Sequence, residues 1–301
     1  MRNAFSSHTM GIFFALLATI VWSFNFIVGR GLADSFMPCT LATGRWLVAF
    51  AAVLPFALPA IIRERHHYLT NWRYYGILAL LGIAYFNTAI YAAARTVPAL
   101  NLSLIATSSP LFTIVFSRIF FGEPITRTRF AGILVALCGI ILLITRGDFS
   151  VLAQLSFQGG DLLMLSAALS FAVYTLLVRK RPAGCSTLSY LGVTFGLGFF
   201  MLLPLALWEM FSHGIPDFTP TAVGAFVYMG VGASLFSFAC WSRAIEAIGP
   251  SKASVIYYSL PFFCGVEAVL FLGEPVLWVH FAGGALILGG MVLATREKKI
   301  R

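Results

Sequence analysis

Long apolar runs recur along this 301-residue chain and constrain its fold more than any other feature. Each run is about as long as a helix that crosses a hydrocarbon layer of roughly 30 Å. The runs cover residues 9–29, 38–60, 74–94, 97–119, 128–146, 160–179, 186–208, 221–243, 252–272 and 276–295. Because lipid offers the main chain no hydrogen-bond partners, every run is expected to be helical. The sequence therefore predicts an all-α integral membrane protein with ten transmembrane helices.

The composition indicates a lipid rather than an aqueous environment. Apolar residues make up 59% of the chain and charged residues 10%, whereas soluble domains carry about a quarter charged residues. So few polar groups would not cover the surface of a soluble protein of this size. The runs leave no stretch long enough for a separate soluble domain. We expect one unit embedded in the bilayer, with the first run retained rather than removed as a signal peptide.

Lysine and arginine residues lie mostly on one side of the predicted membrane. With the N-terminus inside, 16 of the 20 basic residues fall in cytoplasmic segments, and only Arg30, Arg95 and Arg146 fall outside. Positive charge favours the cytoplasmic side, so both termini are predicted to be cytoplasmic. The net charge of +9 is scattered over short loops, which argues against nucleic-acid binding.

The two halves of the chain repeat each other at an offset of 151 residues. FFGEP at 120–124 matches FLGEP at 271–275, and FAG at 130–132 matches FAG at 281–283. Between positions 93 and 142, 17 of 50 residues are identical to their counterparts without a gap. Chance similarity between apolar sequences would not place Gly-Glu-Pro and two glycines in register.

The number of helices in each repeat determines how the copies are related. Five is odd, so the second copy must enter the membrane from the opposite side. Residues 1–150 and 151–301 are accordingly predicted to form two inverted five-helix repeats. Such repeats are typical of secondary transporters, whose similar halves rock about a central site and open it to each side in turn.

Several short motifs follow the same plan. A GEP comes after the fourth and ninth spans, FAG-x6-G follows each GEP, and TVPAL at 96–100 and AIGPSKAS at 247–254 precede them. In these motifs the chain resembles the drug/metabolite transporter superfamily, specifically its EamA-type members. The resemblance implies a bacterial inner-membrane carrier, typically an exporter of amino acids or related metabolites. It also implies a substrate cavity between the halves, mainly among spans 1, 3, 4, 6, 8 and 9.

Those six spans carry polar and aromatic residues that we expect to line the cavity. They are Trp22, Asn25, Tyr85, Asn87, Tyr91, Thr107, Ser108, Tyr174, Trp241, Tyr257 and Tyr258. Taken singly, an aromatic residue is more typical of helix packing or of the interfacial belt. Together they predict a mixed aromatic and hydroxyl lining for a small amphipathic solute, such as an amino acid with an apolar side chain.

Two ionisable residues within the predicted spans are candidates for function, Glu267 and Arg45. Glu267 stands where the other repeat has Phe116, so the repeated scaffold does not require an acid there. An acid at membrane depth indicates a functional site, which makes Glu267 a candidate to bind a proton or a substrate amine. The alternative is an acid near the outer interface that reaches water. Arg45 is interpreted in the same two ways, its alternative being a side chain that extends to the interface.

Two recurring features are interpreted as structural. Glu123 and Glu274 lie in GEP turns, where glycine ends one helix and Glu-Pro begins the next. Glycines seven residues apart lie on one face of the fifth and tenth spans. They are Gly132 with Gly139 and Gly283 with Gly290. Small residues let helices approach closely in lipid, which predicts a packing scaffold and, as a second use, a homodimer contact.

Three other classes of function are weighed against the carrier. The first is a channel or facilitator, and the second is a receptor or assembly factor. An open channel would lack saturable flux, a facilitator would be indifferent to a pH gradient, and a receptor or assembly factor would show no flux. An intramembrane enzyme is disfavoured, because no histidine forms a helical pair with an acid and no GxSxG motif occurs. The sequence has no P-loop, and its five cysteines are scattered, so no nucleotide, metal or other cofactor is expected.

Overall fold

The computed structural model describes residues 2–32, 34–97, 105–106, 108–145, 147–150, 159–272 and 278–295. Within these ranges the chain is helical, without β-strands, as the sequence predicts. The helices are α1 (Arg2–Leu32), α2 (Pro38–Arg63), α3 (Arg65–Thr70), α4 (Trp72–Ala94), α5 (Ser108–Phe121), α6 (Arg127–Thr145), α7 (Gly159–Arg179), α8 (Thr187–His213), α9 (Pro220–Ile248), α10 (Pro250–Tyr257), α11 (Leu260–Leu272) and α12 (Trp278–Thr295).

Six of these helices are long and apolar enough to cross a membrane, namely α1, α2, α4, α7, α8 and α9. Shorter apolar helices lie within α5 and α12. Part of the predicted fourth span, including residues 98–104, lies outside the described residues. Large apolar side chains such as Phe56 and Phe211 are exposed on the outside of the molecule, which suits contact with lipid tails. The protein is a multi-pass membrane protein.

The two halves of the chain pack against each other helix by helix. α1 packs along α9, α2 along α8, and α6 along α12. α7 packs on both α4 and α5. One member of each pair lies before residue 151 and the other after it, so the interior is formed jointly by both halves.

Two helices contain π-helical segments, Leu80–Tyr85 in α4 and Tyr228–Phe236 in α9. The segments overlap when one is shifted by 151 residues, the offset of the sequence repeat. A wider helical turn leaves main-chain oxygen atoms open to donors from neighbouring helices, and π segments are frequent at functional sites. On both helices a main-chain oxygen of the π segment accepts a hydrogen bond from a side chain of another helix.

The glycine faces of α6 and α12 pack against each other within the chain. A Cβ atom added at Gly132 would lie 2.6 Å from the main-chain oxygen of Gly290, and one at Gly139 would lie 2.7 Å from that of Gly283. This close contact explains why glycines recur at this spacing, and it agrees with the predicted packing scaffold. Because these faces are occupied inside one molecule, a homodimer would have to use other faces of the two helices.

A carboxylate from the second half holds the start of α2. Glu209 of α8 accepts hydrogen bonds from the main-chain nitrogen of Thr40 at 2.7 Å and from that of Cys39 at 3.0 Å. Negative charge is favourable at the positive end of a helix, and Glu209 is buried there. This contact fixes α2, which carries Arg45, against α8.

Candidate functional site

A small cavity lies between the two halves of the molecule. It is lined by Trp22, Asn25, Phe26, Arg45, Phe86, Asn87, Ile90, Phe171, Phe238 and Tyr257. These residues belong to α1, α2, α4, α7, α9 and α10. The volume is about 20 Å³, which holds roughly one water molecule. Any larger solute therefore requires the surrounding helices to move apart.

Aromatic rings surround Trp22 on one side of the cavity. Its ring centre lies 5.2 Å from that of Trp241, 5.5 Å from Phe171, 5.6 Å from Phe238 and 6.1 Å from Tyr257. The Phe171, Phe238 and Tyr257 contacts are edge-to-face, the geometry that aromatic quadrupoles favour. Trp22, Trp241 and Tyr257 were predicted as lining residues, and the structure places all three in this cluster.

The π segment of α9 supplies a main-chain acceptor to the same region. The oxygen of Ala233 accepts a hydrogen bond from Trp22 Nε1 at 2.8 Å and another from Arg45 Nη2 at 3.0 Å. In α4, the oxygen of Leu81 similarly accepts from Ser170 Oγ at 2.8 Å. Each π segment thus binds a side chain from the opposite half of the chain.

Arg45 is the centre of a polar network at the cavity. Only 1% of the residue is exposed, so its side chain does not extend to the interface. Its hydrogen-bond acceptors are Ser234 Oγ (2.7 Å), Asn87 Oδ1 (2.8 Å), Ala233 O (3.0 Å), Tyr91 OH (3.1 Å) and Asn25 Oδ1 (3.3 Å). The predicted residues Asn25, Asn87 and Tyr91 are therefore brought together by a residue of the second span, which the family resemblance does not include.

Three of the expected lining residues are buried but do not belong to the lining of this cavity. Tyr174 is buried against α4, and its hydroxyl lies 2.9 Å from that of Tyr190. A Cβ atom at Gly82 would lie 2.2 Å from the Tyr174 ring, so glycine is needed there. Trp241 Nε1 donates to Thr175 Oγ1 at 3.4 Å. Tyr258 is fully buried beside the break between α10 and α11, where Pro261 has no N–H for the preceding turn.

The remaining expected lining residues are placed elsewhere. Tyr85 is 38% exposed and its hydroxyl lies 2.5 Å from Ser166 Oγ on α7, away from the cavity. Ser108 Oγ donates to the main-chain oxygen of Ile105 at 2.6 Å, at the start of α5. Thr107 lies outside the described residues.

Glu267 lies beside the cavity rather than in its lining. Its Oε1 atom accepts a hydrogen bond from Ser23 Oγ on α1 at 2.8 Å. The Oε2 atom is buried without a hydrogen-bond partner. Ser23 follows Trp22 directly, so a change of charge at Glu267 acts on the helix that carries the central ring of the aromatic cluster.

Charged contacts close one end of the molecule between the two halves. Glu123, in the turn between α5 and α6, pairs with Arg179 at the end of α7 and accepts from Ser251 Oγ of α10 at 2.5 Å. Arg129 lies 3.9 Å from the same carboxylate. Glu123, Arg179 and Arg129 line a cavity of about 630 Å³ that also reaches Lys252. Glu123 thus joins the halves in addition to forming its predicted turn.

A second carboxylate ties the halves together at this end. Glu64, between α2 and α3, accepts hydrogen bonds from Ser189 Oγ and from the main-chain nitrogen of Ser186 at the start of α8. Burial alone would raise the pKa of Glu64, but these hydrogen bonds and the neighbouring Arg63 outweigh it and hold the pKa below its ordinary value.

Sequence reasoning missed several contributors to the cavity. Phe171, Phe238, Phe86 and Phe26 resemble ordinary packing residues in an apolar helix, and no pattern in the sequence separates them from lipid-facing rings. Arg45 carried a usable signal, because it is a charged residue in the middle of an apolar run.

Comparisons with known proteins agree over nearly the whole chain. The model of the EamA-like transporter family matches residues 9–145 and again residues 158–296. The chain is 24% identical to the uncharacterized transporter YyaM of Bacillus subtilis, over 95% of this chain and 94% of that protein. It is 25% identical to a probable amino-acid metabolite efflux pump of Salmonella typhimurium, over 96% of each protein.

Two further comparisons concern an exporter and the fold. The chain is 25% identical to a probable terminal-alkyne amino-acid exporter of Streptantibioticus cattleyicolor, over 94% of this chain and 93% of that protein. A protein crystal structure aligns with a TM-score of 0.74 at 19% identity and covers 96% of both chains. That structure has the same fold.

Proposed function

Because the chain belongs to the EamA-like transporter family, we propose that it is a secondary carrier that exports a small amphipathic metabolite by alternating access. We place it in the bacterial inner membrane. The solute class favoured is an amino acid or a related compound. No catalytic role is included, since its named relatives are transporters or efflux pumps.

The observation that carries this proposal is the cavity formed by residues of both halves. Trp22 of the first half and Phe238 of the second are in contact and both line a space of about 20 Å³. A much larger cavity, of about 630 Å³, lies at the end of the molecule that holds Glu123. A solute larger than a water molecule fits the space of about 20 Å³ only if the halves separate, which is the motion that alternating access requires.

The proposed topology has ten spans, with both termini in the cytoplasm. The repeats are residues 1–150 and 151–301, inverted relative to each other. The six long helices and the shorter apolar helices of α5 and α12 support it, as do π segments at equivalent positions of α4 and α9. On this topology the end that holds Glu123 and Glu64 is the cytoplasmic end.

The lining supports an amphipathic solute. Trp22, Phe171 and Tyr257 provide apolar lining, and Asn25 and Asn87 provide amides in the same cavity. Two relatives are named for amino-acid metabolites or an amino acid, and an apolar amino acid would match both kinds of lining. We also propose Glu267 as a site for a proton or for the solute amine, since one of its oxygens is unbonded.

The test is flux into proteoliposomes that contain the purified protein, with a panel of labelled amino acids. We expect saturable flux of at least one apolar amino acid. An imposed pH gradient should accelerate it, and Glu267→Gln should abolish this acceleration while Glu246→Gln retains it. Flux that is saturable but indifferent to the gradient would remove the proton role of Glu267. Flux that never saturates would indicate a channel, and no flux of any amino acid would contradict the proposed substrate class.

A further inference from the structure

We propose that Arg45 and Asn87 form a binding site for the carboxylate of the transported solute. This inference rests on the proposed carrier function and specifies the chemical class of the solute at the same cavity. It makes the solute an anion or zwitterion whose carboxylate lies on α2 and α4. Its apolar part then lies on the aromatic cluster.

The first support is the uncompensated charge of Arg45. Arginine stays protonated inside proteins, yet all five acceptors around this guanidinium are neutral hydroxyl, amide and main-chain oxygens. Within the described ranges, Arg45 forms no ion pair with an aspartate or glutamate. A buried charge without a counter-ion is costly in a membrane protein, and a bound carboxylate would supply that counter-ion.

The second support is the set of donors left unused at the cavity. Arg45 Nη2 carries two hydrogens and has one acceptor, the oxygen of Ala233. Asn87 Oδ1 accepts from Arg45, which fixes the orientation of the amide. The Nδ2 atom of Asn87 is buried without a partner in a residue that is 3% exposed and lines the cavity. Buried donors of this kind favour a ligand with acceptor oxygens.

Glu267 does not fill the role of counter-ion to Arg45. Its bonded oxygen accepts from Ser23, and it does not belong to the lining of the cavity. The same cavity has an apolar part, in which the rings of Phe86 and Phe171 stack at 4.5 Å between centres. A solute held by its carboxylate at Arg45 would therefore place its side chain against these rings once the helices separate.

The experiment compares each solute with its carboxamide, which lacks only the negative charge. For the amino acid with the highest flux in the wild-type protein, flux of the labelled free acid and of the labelled carboxamide is measured in proteoliposomes. We expect the free acid to be favoured by about 10- to 100-fold in kcat/KM. Arg45→Gln should reduce this preference to within about threefold, mainly by lowering flux of the acid. Arg65→Gln, at an exposed arginine outside the cavity, should retain the wild-type preference.

A second variant distinguishes loss of the carboxylate site from misfolding of Arg45→Gln. Asn87→Asp places a carboxylate of nearly the same shape beside Arg45, so the ion pair keeps the local structure. It should lower flux of the acid at least tenfold and lower flux of the carboxamide by a much smaller factor. Equal loss of both forms in both variants would overturn the carboxylate site, as would a wild-type protein that does not discriminate between them. Absence of any amino-acid flux in the wild-type protein would instead contradict the substrate class of the proposed function.

Discussion

The indole nitrogen of Trp22 donates a hydrogen bond to the main-chain oxygen of Ala233 at 2.8 Å. Trp22 belongs to α1 in the first half, and Ala233 lies in the π segment of α9 in the second. The bond therefore crosses the interface between the two halves, and it lies directly beside the cavity.

The Trp22–Ala233 bond can be removed with little loss of aromatic surface. Trp22→Phe should lower flux by roughly 2- to 10-fold, since it removes one hydrogen bond worth about 0.5–1.5 kcal/mol while Arg45 still donates to the Ala233 oxygen. Trp208→Phe is the matched control, because Trp208 is 63% exposed on the outer face of α8. Initial rates in proteoliposomes provide the measurement, and equal rates in the two variants would contradict the importance of the bond.

Closure of the end that holds Glu123 depends on opposite charges in the two halves. Glu123→Arg and Arg179→Glu should each lower flux severalfold, because each places like charges together. The double variant should recover part of the loss, which a double-mutant cycle measures. Glu246→Gln is a control at the same end, since Glu246 pairs with Arg181 within one half. A cycle without coupling would show that the Glu123–Arg179 pair does not contribute to transport.

Glu64 gives a pH dependence of stability. Its pKa is lower in the folded protein than its ordinary value of 4.5, so its contribution is complete above about pH 4.5 and is lost as pH falls through the folded pKa. Wild type should have a higher Tm in detergent than Glu64→Gln at neutral pH. The difference should shrink as pH falls below about 4.5, because Glu64 becomes protonated and then carries no charge, like glutamine. A difference that stays constant from neutral pH down to acidic pH would rule out the carboxylate as its origin.

Adjacent glycines in α12 test the packing of α6 against α12. A Cβ atom at Gly290 would lie 2.5 Å from the main-chain nitrogen of Ala136, whereas one at Gly289 would meet nothing within 4 Å. Gly290→Ala should therefore destabilise the protein by about 1–3 kcal/mol. Gly289→Ala should be neutral or slightly stabilising. Unfolding in detergent distinguishes them, and equal effects would show that α6 and α12 do not pack through this face.

Much of the fold could be read from the sequence because hydrophobicity and chain length limit the choices in lipid. The apolar runs predicted where helices lie, and the matching GEP and glycine motifs predicted equivalent parts of the two halves. Gly132 and Gly290 were correctly interpreted as packing residues, since only small residues permit so close a helix contact. Asn25, Asn87 and Tyr257 were also selected, because polar or amphipathic groups in apolar helices are expected to face protein.

The orientation of each helix about its own axis was decided only by tertiary packing. Tyr85 and Asn87 are two residues apart in α4, which places them about 200° apart around an ideal helix. Asn87 is buried at Arg45, whereas Tyr85 is 38% exposed against α7. Helices that are apolar on all sides carry no amphipathic stripe to identify the inward face. The sequence alone therefore determined that the chain forms apolar helices in two related halves, while the packing between halves decided which residues meet at Arg45.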